Sequence, residues 1–112
     1  MTPRTLSWIM ASLIATFRRL NRRYFGNRLP FTARRLTLKW ARMAEMGNYS
    51  NNGKRVTIEI NTILRRWPTC MEATLLHEMA HFATAGERAD HGPKWLRERR
   101  RLYRAGAFES LL

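Results

Sequence analysis

The sequence predicts a small α+β fold, and three observations carry that prediction. Near the start an apolar residue recurs every three or four positions; in the middle two short stretches alternate apolar with polar; towards the end come two further helical segments. The expected order is an N-terminal helix, a small antiparallel sheet or hairpin, a second helix and a C-terminal helix. At 112 residues the chain is expected to form one domain, 1–112, because either half alone would bury too little surface. An apolar content of 45% can fill one core.

The first helix is expected over about 6–24, where Ile9, Leu13, Phe17, Leu20 and Tyr24 share one face. Gly26, Asn27 and Pro30 stop it. Its apolar stretch follows Arg4 in the manner of a signal peptide, but the face continues past Arg18 and Arg19, and the stretch is far short of the roughly 20 residues of a membrane span. A soluble, cytoplasmic protein is expected. Strands are expected at 35–41, where Leu36, Leu38 and Trp40 alternate, and at 55–61, where Val56, Ile58 and Ile60 do. Asn52-Gly53 suits a tight hairpin turn with positive backbone angles, and 43–49 offers a further strand. Thr69 with Glu72 has the spacing of a capping box opening a helix to about residue 84. After a looser segment, Pro93 opens the last helix, which runs to about residue 104 before Gly106.

Lys and Arg number 21 against 8 Asp and Glu, for a formal net charge of +13. That excess predicts a polyanionic partner, nucleic acid first, because neutralising phosphates releases counterions. The candidate phosphate-binding set is Arg18, Arg19, Arg22 and Arg23 on the first helix with Arg97, Arg100, Arg101 and Arg104 on the last, which also carries Arg99. A membrane surface is the weaker alternative, since the first helix needs its apolar face for the core. Cys70 is the single cysteine, so no disulfide forms within the chain, and a buried structural role is expected for it rather than a catalytic one. Trp8, Trp40 and Trp95 are expected in the core; Trp67, beside Arg65 and Arg66, is undecided.

His77-Glu78-Met79-Ala80-His81 sets two imidazoles one helical turn apart, where both can reach one ion. Glu78 stands beside that pair rather than in line with it, where it can take a proton from a water on the metal without occupying a ligand position. A catalytic zinc needs a third protein ligand and an open fourth position. His91 is the only other histidine, and the ten-residue step from His81 contains Gly86 and suffices to turn the chain back. Asp90 is either a ligand or, preferably, a support for a ligand. Tyr49 and Tyr103 are chemically able to stabilise an oxyanion, although packing is the expectation for both.

His91-Gly92-Pro93-Lys94-Trp95 resembles the His-Gly-x-x-aromatic element that follows the zinc helix in the SprT-like family. The segment 20–30, in which Asn21 precedes Phe25 and Leu29-Pro30, is similar to that family's opening helix; Leu38-Lys39-Trp40 and Ile58-Glu59-Ile60-Asn61 follow its strand order. The resemblance covers roughly 17–102. It implies a minimal zincin-like metallopeptidase, with one zinc ion on His77, His81 and His91, Glu78 as the catalytic acid and base, a protein or peptide substrate, and proteolysis linked to DNA, such as removal of DNA–protein crosslinks. Many members carry a cysteine zinc ribbon after this domain, for which this sequence has too few cysteines, so DNA contact is expected from the peptidase domain itself or from a partner. The rival expectation is a basic nucleic-acid-binding module with a structural or inactive metal site. That alternative explains the charge but gives Glu78 no task.

Overall fold

The computed structural model describes residues 3–87 and 90–109, with side chains from Leu13 onward. The expected α+β order is present: α1 (Pro3–Tyr24), β1 (Leu36–Ala41), β2 (Gly47–Asn51), β3 (Val56–Asn61), α2 (Pro68–Ala83) and α3 (Pro93–Arg104), with a 3-10 turn (Thr62–Arg66) leading into α2. Among the described residues no helix is long and apolar enough to cross a membrane.

Leu13, Phe17 and Leu20 of α1 are buried, as the helical period requires, while the side chains of Trp8 and Ile9 lie outside the described residues. Gly26 and Asn27 both take left-handed angles, φ 59° and 60°, and end the helix there. Asn21, buried on the last turns of α1, then secures the returning chain. Its side-chain amide donates to the Leu29 carbonyl at 2.9 Å, and its Oδ1 accepts from the Leu29 N–H at 3.2 Å. One side chain thus satisfies both main-chain groups of a residue that must be buried.

The sheet is mixed rather than antiparallel, with strand order β1-β3-β2. β2 and β3 form the expected hairpin, with Gly47 opposite Ile60 and Asn51 opposite Val56, whereas β1 runs parallel to β3, Leu36 beside Val56 and Ala41 beside Asn61. Alternation identifies strands but not their order, and here residues 42–46 cross the end of β3 to reach its far side. Buried Asn61 supports that crossing: its Nδ2 donates to the carbonyls of Met43 and Glu45, each at 2.9 Å. In the hairpin turn Gly53 has the positive angle, φ 91°, but Asn52 does not. Asn52 instead accepts from the N–H groups of Lys54 and Arg55 through its side chain, at 2.9 and 2.7 Å.

α2 begins two residues earlier than the capping-box spacing implies. Pro68 takes the first helical position and Trp67 the cap, without a side-chain capping bond, so Thr69 lies inside the first turn. Glu72 pairs instead with Arg19 of α1 at 2.8 Å. Cys70 is exposed, contrary to the buried role expected, because it precedes Met71, the first buried residue of the helix. From Met71 onward α2 packs against the sheet and α3, with Leu75, Leu76 and Met79 fully enclosed.

Replacing Asn21 by Ala leaves the Leu29 N–H and C=O buried without their partner. Urea unfolding should register a loss of about 2 kcal/mol or more, with helix content by circular dichroism retained.

Candidate metal centre

His77 and His81 lie one turn apart on α2, their ring centroids separated by 5.2 Å. The helix then stops at Ala83. Thr84 Oγ1 donates to the Ala80 carbonyl at 2.8 Å, the Glu87 N–H donates to Thr84 O at 3.2 Å, and Gly86 takes φ 100°. This turn sends the chain back towards the helix it has left. His91 arrives with φ 52°, a left-handed angle that costs a non-glycine residue about 1–2 kcal/mol. Its Nε2 stands 3.1 Å from His77 Nε2, and the three histidines offer ligand atoms within 4.8 Å of one another.

These residues fit a metal ion. Donors about 2.0–2.1 Å from a tetrahedral zinc lie about 3.3 Å apart, close to the separation of the His77 and His91 nitrogens. The two imidazoles on α2 are also held in the neutral, ligating form: burial, helped by His81, His91 and Arg99, lowers His77 to about 4, and burial lowers His81. Trp95 packs its indole against all three rings, at centroid distances of 4.9 Å from His77, 5.4 Å from His81 and 4.2 Å from His91. This tryptophan is core, as expected, and it is also a wall of the site. Asp90 places one carboxylate oxygen 3.6 Å from His81 Nε2 and the other 3.9 Å from His91 Nδ1. At these distances it acts on the histidines through its charge rather than through hydrogen bonds.

Glu78 lies beneath β2, against Gly47, and is only 5% exposed. Burial, with Asp90 adding to it, pushes its carboxyl up to about 7. Gly47 makes this approach of strand and helix possible. A Cβ there would lie 2.7 Å from Thr74 Cγ2 and 3.3 Å from Glu78 Oε2, so a side chain would force β2 off α2. Glycine inside a strand pattern is a sign of such close approach, and it was available at Gly47 in the sequence. A cleft of about 420 Å³ is bordered by Gly47, Tyr49, His77, Glu78, His81 and His91. Of the two tyrosines, Tyr49 is at the site, stacked on His81 at 5.7 Å, while Tyr103 is 57% exposed rather than packed.

The candidate phosphate-binding arginines lie on α1 and α3, and one contact links the end of the first helix to the last. Arg101 of α3 lies over the ring of Phe25, just beyond the end of α1, at 5.4 Å. Arg22, Arg97, Arg100 and Arg104 are exposed on the surface of their helices. Arg18 lies over Phe31 and Arg23 over Tyr24, while Arg19 and Arg101 are paired with Glu72 and Glu98. Trp67, which follows Arg65 and Arg66 in the chain, is 60% exposed.

The family model of the SprT-like family matches residues 13–110. No curated protein matches the chain.

Zinc at about 100 times its dissociation constant should stabilise the protein against unfolding by about 2.7 kcal/mol. In His81→Ala that stabilisation should disappear, as thermal melts with and without zinc will report.

Proposed function

The chain belongs to the SprT-like family, and from that membership and its histidine cluster we propose that it is a zinc metallopeptidase with Glu78 as general base. Glu78 is the observation that carries this reading. A structural site needs ligands alone, whereas here a carboxylate adjoins a ligand in sequence, is buried, and borders the same cleft as all three histidines.

His77, His81 and His91 would hold the zinc, which would supply a Lewis acid for the peptide carbonyl and make an attacking water more acidic. Glu78 holds the proton removed from the attacking water on a carboxylate oxygen and delivers it to the leaving amine. Its raised pKa in the metal-free protein, about 7, suits a group that must both take and return a proton. β2 supports the positioning of an extended peptide. It is an edge strand, and the bond from Asn61 N–H to Met46 O at 2.8 Å sets the alternation of its pairing. By that alternation the N–H and C=O groups of Gly47 and Tyr49 face away from β3, where a peptide lying along the cleft can pair with them. An apolar cavity of about 280 Å³ behind His77, walled by Leu76, Trp95, Leu102 and Phe108, suits an apolar side chain of such a peptide.

We further propose that the proteins cleaved are those held at nucleic acid, most simply DNA. The net charge of +13 and the exposed arginines of α1 and α3 support this. A protease whose substrate is brought close by a shared strand needs little sequence preference of its own, because effective concentration does the selecting.

Glu78→Gln should keep one zinc per chain and lose cleavage of a casein substrate by at least about 100-fold; cleavage at the wild-type rate would rule out Glu78 as the base. Zinc binding without cleavage in the wild type itself, with DNA present or absent, would favour a structural metal site in a binding module. Replacing Arg97, Arg100 and Arg104 by Ala should reduce the salt dependence of DNA binding by about one logarithmic unit of slope for each phosphate that these side chains neutralise. An unchanged slope would remove α3 from the interface.

A further inference from the structure

His91 is the ligand with the least local support. His77 and His81 are carried by a packed helix, but His91 sits at a left-handed angle in a segment between two helices, and its side chain is 44% exposed. Something must hold it against the strain of that conformation. The N-terminus of α3, two residues later, shows what does.

α3 starts at Pro93, and its cap residue, Gly92, has no side chain with which to bond the free amides of the first turn. Those amides are met from upstream. Glu87 Oε2 accepts from the Lys94 N–H at 2.7 Å, and Glu87 Oε1 accepts from the Trp95 N–H at 3.0 Å. The main chain of Glu87 is meanwhile tied to the end of α2 through its bond to Thr84 O. One residue therefore links the helix that carries two ligands to the helix that follows the third.

Gly92 completes the arrangement. Its φ of −72° is open to any residue, so its backbone does not call for glycine. Space does: a Cβ at this position would lie 2.7 Å from both Cδ and Oε1 of Glu87. A side chain at 92 would thus displace the carboxylate from the amides, and break the tie it makes between the turn at Thr84 and the start of α3.

We propose that Glu87 is the positioning residue of the third ligand, its carboxylate holding His91 towards His77 and His81 by bonding the first turn of α3, with Gly92 glycine to leave that carboxylate room. The proposal rests on the metal-centre reading. Glu87 itself touches neither metal nor substrate in this role.

Zinc affinity by chelator competition, with cobalt(II) absorption spectra as a report on coordination, tests it in wild type, Glu87→Ala, Gly92→Ala, His91→Ala and the double variant Glu87→Ala/His91→Ala. Gly92→Ala has only the end of a flexible side chain to move, so it breaks the same bonds by a second route and leaves the core alone. Both single variants at 87 and 92 should weaken zinc binding about 10- to 100-fold and shift the cobalt spectrum towards that of His91→Ala. The double variant should bind no more weakly than His91→Ala, because Glu87 acts through that ligand. Wild-type affinity in both Glu87→Ala and Gly92→Ala would overturn the proposal, as would an equal loss from Glu87→Ala with and without His91. Absence of zinc binding in wild type would instead remove the metal centre itself, and this proposal with it.

Discussion

Trp95 touches the rings of all three histidines and donates from its indole nitrogen towards the His77 carbonyl at 3.5 Å, and the rest of the molecule is arranged so that this contact can form. The indole is 4% exposed, with the core behind it and the site in front. Placing it there requires α3 to begin where it does, which in turn requires the chain leaving α2 to turn back within a few residues. It also requires α2 to stand still. Leu75, Leu76 and Met79, all fully buried, hold that helix in the register that points His77 and His81 at the indole.

The part of α2 that lies under β2 meets a different requirement. Glu78 must be close to the histidines yet belong to another face, and a buried carboxylate is unfavourable unless the site needs it. Gly47 lets β2 come down on Glu78 closely enough to keep it enclosed. Among the described residues the same strand is an edge of the sheet, so Gly47, which encloses Glu78, also turns its main-chain groups away from β3. The order β1-β3-β2 is what places that edge over α2. Asn61 maintains the order by holding the crossing at Met43 and Glu45.

Much of this was legible in the sequence wherever the signal is local. The four-residue step from His77 to His81 and the proline at 93 are read from neighbours on the same helix, and α3 spans Pro93–Arg104 as that reading implies. Long-range contacts were not legible. Nothing in the alternation of Leu36, Leu38 and Trp40 says that this strand joins β3 in parallel, since register and order depend on the crossing bonds of Asn61. The spacing of Thr69 and Glu72 suggested a cap, but Pro68 set the start of α2 and the charge of Arg19 captured Glu72. Glu87 lies in the looser segment before Pro93. Its task depends on the start of α3 lying within reach of its carboxylate, which no local pattern announces.

An ion shared by three imidazoles, with Glu78 left free beside it, is what the catalytic reading requires. Anomalous diffraction at the zinc edge from crystals of the zinc-loaded protein tests this most directly. A single peak about 2.0–2.1 Å from one nitrogen of each of His77, His81 and His91, with a fourth position open to solvent and Glu78 unligated, is the expected result. A peak elsewhere, or a site closed by the carboxylate of Glu78 or Asp90, would contradict that reading.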